Sequence, residues 1–95
     1  MCEDIAVAFH DNGYNRPTPT VLRVRGYRFF FFTREGKESP HAHVEHSGKY
    51  AKFWLRPVQL ARNRGFLSRE LREIRSLVEA NAIVFEEKWY ERFGY

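Results

Sequence analysis

Two of the four histidines in this 95-residue chain, His41 and His43, stand two apart in the run Ser39-Pro-His-Ala-His-Val-Glu-His46. On a strand, that spacing puts both imidazoles on one face. An imidazole with a pKa of about 6.5 populates both protonation states near neutrality, so such a pair suits general acid and base work on a phosphodiester. The chemistry this suggests is metal-independent RNA cleavage by His41 and His43, with Lys52 and Arg28 as phosphate clamps that stabilise the developing charge. Tyr50 and Trp54 offer faces for unstacked bases, and Arg56, Arg62 and Arg64 extend the cationic surface.

Three other readings use the same residues. His-x-His is a recurrent metal-ligand pair, and Glu45 or His10 could supply a third ligand. Lys52 argues against an ion there, because an ammonium repels a cation, so no metal or cofactor is expected. The face could instead dock a partner without chemistry, since Tyr, Trp, Arg and His suit protein interfaces as well as nucleic acid. The blandest reading makes the two histidines hydrogen-bonded side chains that shield the sheet.

The element that must position them is a hairpin. Ser47-Gly48 separates two alternating runs, which is what a two-residue turn asks for. That turn fixes His46 opposite Lys49, Glu45 opposite Tyr50, Val44 opposite Ala51, His43 opposite Lys52, Ala42 opposite Phe53 and His41 opposite Trp54. One face then carries Ala42, Val44, Ala51, Phe53 and Leu55, and the other His41, His43, Glu45, Tyr50, Lys52 and Trp54. A slip of one residue would bury His43 and Glu45 among apolar side chains, so the register is strongly specified. The polar face is expected to point to solvent.

Around this hairpin, Thr20–Arg25 and Tyr27–Thr33 read as β-branched and aromatic runs separated by Gly26, either a tight hairpin or one strand bent by a bulge. Four consecutive Phe, residues 29 to 32, place aromatics on both faces, so that strand should be covered on both sides. The segment 34–40 is a polar loop. Val58–Arg62 fits a last strand or a helical turn, and residues 63–65 a turn. Ser68 is a plausible N-cap for a helix carrying Leu71, Ile74, Leu77 and Val78 at helical spacing. Asn81 interrupts the stripe before Val84 or Phe85, Trp89 and Phe93 continue it, as one kinked helix or two. The expected fold is α+β: a small antiparallel sheet of three to five strands with a C-terminal helix or kinked helix pair on one face. Residues 1–18 read as an N-terminal arm and residues 19–95 as a single domain.

Charge sharpens the choice of partner. Residues 19–67 hold ten Lys and Arg against three Glu, whereas the flanking segments are mildly acidic. A block this basic attracts a polyanion such as RNA, or an acidic protein. The lone Cys2 suits a reducing cytoplasm, no apolar run approaches transmembrane length, and Glu3 and Asp4 sit where a secretory signal would be positive.

Pro19-Thr-Val-Leu-Arg23, Gly26-Tyr-Arg-Phe-Phe-Phe31, Pro40-His-Ala-His-Val44, Ala51-Lys-Phe-Trp-Leu55, Leu60-Ala-Arg-Asn-Arg-Gly65 and Ser68-Arg-Glu-Leu71, with Trp89 near the end, follow one another in a distinctive order. In these residues the chain resembles a family of small bacterial proteins, domain of unknown function 4160, from residue 19 to residue 94. Members often sit beside a gene of another uncharacterised family, domain of unknown function 2442, in pairs frequently labelled toxin–antitoxin systems. The resemblance thus implies a cognate antitoxin-like partner and brings no catalytic residues with it. Members usually begin near the position of Pro19, so residues 1–18 depart from the pattern.

Overall fold

The computed structural model describes residues 19–94. The expected arm, with His10, lies outside them. Five strands form one antiparallel meander in chain order: β1 (Leu22–Val24), β2 (Tyr27–Phe30), β3 (His41–His46), β4 (Lys49–Leu55) and β5 (Val58–Arg64). Two helices follow, α1 (Ser68–Ala80) and α2 (Ala82–Phe93). This is the α+β architecture that the hydrophobic patterning calls for.

Two tight turns set the registers. Ser47 and Gly48 both have positive φ, 50° and 79°, as do Arg25 and Gly26, 53° and 84°. Two successive positive φ values match the twist of the strands they join, and glycine takes the second position without steric cost. The β3–β4 pairing therefore runs from His46 opposite Lys49 to His41 opposite Trp54, the register required by the alternation of polar and apolar residues. Gly26 makes a hairpin of β1 and β2 rather than a bulge, with Arg23 opposite Arg28.

Both helices cover the apolar face. Phe29, Phe31, Ala42, Val44, Ala51, Phe53 and Leu55 are buried there against Ile74 and Val78 of α1 and Phe85 and Trp89 of α2. Each large side chain so buried is worth about 1.5–3 kcal/mol of transfer free energy. The helix break falls at Asn81, whose backbone φ and ψ leave the helical range and whose side-chain amide donates to the Leu77 carbonyl at 2.8 Å. The apolar stripe shifts there, which aims Phe85 and Trp89 inward and leaves Val84 exposed.

Two local expectations are corrected. Residues 63 and 64 extend β5 rather than forming a turn, and Asn63 instead brackets the corner that follows, accepting from Phe66 N–H at 3.0 Å and donating to its carbonyl at 3.1 Å. Leu67, not Ser68, occupies the N-cap of α1, with its N–H donated to the Glu70 carboxylate at 2.8 Å. Glu70 also pairs with Lys49 of β4 and Glu73 with Arg25, at 2.8 and 3.0 Å, which ties the first turns of α1 to both hairpin corners.

Candidate functional site

His41 and His43 share the face opposite the helices, as the register requires, yet neither reaches solvent. Their residue exposures are 0% and 2%. The expectation of outward-pointing imidazoles is therefore corrected, and the cause is the connection between β2 and β3. Residues 32–40 fold back over the start of β3 as a flap. Arg34, Lys37, Glu38 and Ser39 stay on its outer surface, while Glu35 turns inward and is buried.

Glu35 is the residue that sequence reasoning missed. Its Oε1 accepts the Phe32 N–H at 2.9 Å, and both its oxygens face His43 Nε2, at 2.8 and 3.0 Å. His41 Nε2 lies 3.0 Å from Oε2. One carboxylate thus meets two imidazoles. Phe30 and Phe32 were the available signal: both fall on the face that reads as polar, and aromatic rings there need a cover. His43 stacks on Phe30 at 5.5 Å and on Tyr50 at 5.7 Å, with Phe32 edge-on at 4.4 Å. His41 packs against Trp54 and reaches around the sheet's end to Trp89 of α2, at 5.4 and 4.8 Å.

The hydrogen-bond pattern assigns the protons. A carboxylate only accepts, so neutral His43 carries its proton on Nε2 toward Glu35, and Nδ1 accepts the Tyr50 hydroxyl at 2.6 Å. Burial pushes the His43 pKa below its ordinary value, against the pull of Glu35, which favours this neutral form. Burial likewise pushes the Tyr50 phenol up, and the Glu35 charge adds to it, so the hydroxyl stays a donor. For Glu35 itself, burial raises the pKa, but the imidazoles of His41 and then His43 outweigh it and hold the carboxyl at about 2 when each turns a protonated Nε2 toward it.

His41 is different. Its Nδ1 donates to the Ser39 carbonyl at 2.9 Å, so in the neutral ring Nε2 is a bare lone pair. That atom is buried beside the Glu35 carboxylate without making a hydrogen bond.

The remaining expected site residues divide into two groups. Arg28 bonds Glu45 at 3.0 Å and Thr20 at 2.9 Å while lying over Phe30, so Glu45 is not a third partner of the histidines. Arg56 makes a two-pronged pair with Glu86 of α2 at 2.6 and 3.2 Å. Lys52 stands opposite His43, but its ammonium sits over Trp54 and bonds Glu38 on the flap's outer surface at 2.9 Å.

The other group gathers on the uncovered part of the same face. Tyr50 is paired with Arg64 and Lys52 with Arg62 across β4 and β5, and both arginines are exposed. From residue 46 to residue 69 the chain has no Asp or Glu but carries Lys49, Lys52, Arg56, Arg62, Arg64 and Arg69. No helix among the described residues is long and apolar enough to cross a membrane.

The family model described as "Domain of unknown function (DUF4160)" matches residues 26–90. No curated protein and no solved structure matches the chain.

Proposed function

Starting from the fact that the chain belongs to this family of unknown function, we propose that it binds single-stranded RNA on the open face of β4 and β5. The observation that carries the reading is the cross-strand pairing of Tyr50 with Arg64 and Lys52 with Arg62, within a stretch of 24 residues free of acidic side chains. Guanidinium groups neutralise phosphates, and the partly buried rings of Tyr50 and Trp54 supply stacking edges and faces, a full base stack being worth about 1–3 kcal/mol. The histidine pair contributes from beneath: His43 holds the Tyr50 hydroxyl and thereby the angle of its ring.

In the two-gene setting that the family resemblance implies, this protein is the RNA-directed toxin component, and its antitoxin-like partner competes for the same basic face. RNA strand scission by His41 and His43 has less support than binding, because their ring nitrogens are turned to Glu35, Ser39 and Tyr50. Fluorescence anisotropy with a labelled single-stranded oligoribonucleotide tests the reading. Arg62→Glu with Arg64→Glu should weaken binding at least tenfold and flatten the salt dependence, by about 0.7 in log–log slope for each phosphate no longer neutralised. Trp54→Ala should weaken binding without changing that slope. Wild-type protein that binds an acidic protein but no RNA would replace this reading with the interaction-module one. RNA shortened by wild type but not by His43→Ala would replace it with cleavage.

A further inference from the structure

We infer that Glu35, His41 and His43 form a binding site for a divalent transition-metal ion of the zinc class, held by one carboxylate and two Nε2 atoms. The donor atoms lie within 4.8 Å of one another, all on buried residues. Around a tetrahedral ion with bonds of about 2.0–2.1 Å, neighbouring donors stand roughly 3.4 Å apart. The N···O separations of 2.8 and 3.0 Å open by about half an ångström, and the two ring nitrogens, within 4.8 Å of each other, close toward the same spacing as the side chains turn onto the ion.

The state of His41 points to a cation independently of that spacing. Its Nδ1–H is committed to the Ser39 carbonyl, and its Nε2 is fully buried, unbonded and 3.0 Å from an anionic oxygen. A lone pair facing a carboxylate across that distance is repulsive. Only a positive centre between them, a proton or a metal ion, reverses the sign. An Nδ1–H donated to a backbone carbonyl with Nε2 left bare is also the arrangement that orients metal-bound histidine.

His43 accommodates the ion by exchanging tautomers. Binding through Nε2 moves its proton to Nδ1, where the Tyr50 hydroxyl at 2.6 Å turns from donor to acceptor without moving. Glu35 keeps its bond from Phe32 N–H through Oε1, leaving Oε2 for the metal. Two imidazoles and one carboxylate suit zinc, cobalt(II), iron(II) or manganese(II) rather than magnesium or calcium, which prefer all-oxygen shells. Three protein ligands leave at least one position open. A surface cavity of about 570 Å³, lined by Thr33, Glu35, Glu38 and Arg92 among others, borders the Glu35 side of the site.

The test uses the untagged full chain after chelator treatment and removal of the chelator. Titration with zinc followed by calorimetry should give one ion per chain, and cobalt(II) should develop the strong visible absorption of a four-coordinate site. Glu35→Gln, His41→Gln and His43→Gln should each weaken zinc binding by at least 100-fold, while His46→Gln leaves it unchanged. Zinc should raise the melting temperature of wild type but not of the three ligand variants. Should a ligand variant fail to fold, the cobalt spectrum and stoichiometry of wild type still decide. Absence of stoichiometric binding, together with a nitrogen-15 chemical shift showing His41 Nε2 protonated, would overturn the proposal in favour of a buried ion pair. Zinc binding that survives all three substitutions would overturn it as adventitious.

Discussion

The two faces of this sheet are closed by different physics. On one, Phe29, Val44, Ala51 and Phe53 meet Ile74, Val78, Phe85 and Trp89 of the helices, and contact requires shape but little direction. On the other, the flap covers His41 and His43, and burial is possible there because Glu35, Tyr50 and Ser39 satisfy three of the four ring nitrogens it encloses. Beyond the flap the same face is open and basic at Arg62 and Arg64. Apolar closure tolerates small shifts, whereas polar closure depends on each partner and on protonation.

Trp89 is where the comparison is most sensitive, because it packs in the helical core and also touches His41. Trp89→Ala should cost about 3–5 kcal/mol in urea denaturation and expose His41 to solvent. A loss below about 1 kcal/mol would mean that the two faces are not joined through this ring.

Glu35→Ala isolates the flap. It leaves the Phe32 N–H and the His43 Nε2–H buried without partners, which should cost about 3 kcal/mol. Amide hydrogen exchange should rise in residues 32–40 and stay slow in the helices. Uniform acceleration would show that the flap and the core open as one unit.

Acid should act on the polar side first. In chelator-treated protein, folded His43 resists the proton that the unfolded chain accepts, so stability falls as pH drops below the ordinary imidazole value of 6.5. Glu35 stabilises the fold above the ordinary carboxylate value of 4.5, and its contribution is lost as pH falls toward about 2. Denaturation midpoints from pH 8 to pH 3 should therefore decline in two stages, and Glu35→Ala should remove the second.

Arg62→Glu with Arg64→Glu is the smallest perturbation of stability, within about 0.5 kcal/mol, because both side chains lie on the exposed strand β5. A larger loss in thermal denaturation would show that the open face contributes to folding as well as to binding.

The sequence by itself determined the hairpin, its register and the separation of its faces. Ser47-Gly48 left one two-residue turn, and only one register kept Val44 and Phe53 together and away from His43. It also marked the stripe of α1 and the break at Asn81, because those signals repeat over a few neighbouring residues. Only the tertiary structure decided that the polar face would be half covered, and by which acid. Glu35 and Glu38 sit three apart in one polar loop with nothing local to distinguish them, yet one is enclosed with two imidazoles and the other stays outside on Lys52. That choice rests on where the flap lands, and the landing is fixed by contacts between Phe30, Phe32 and His43 that exist only once the strands are paired.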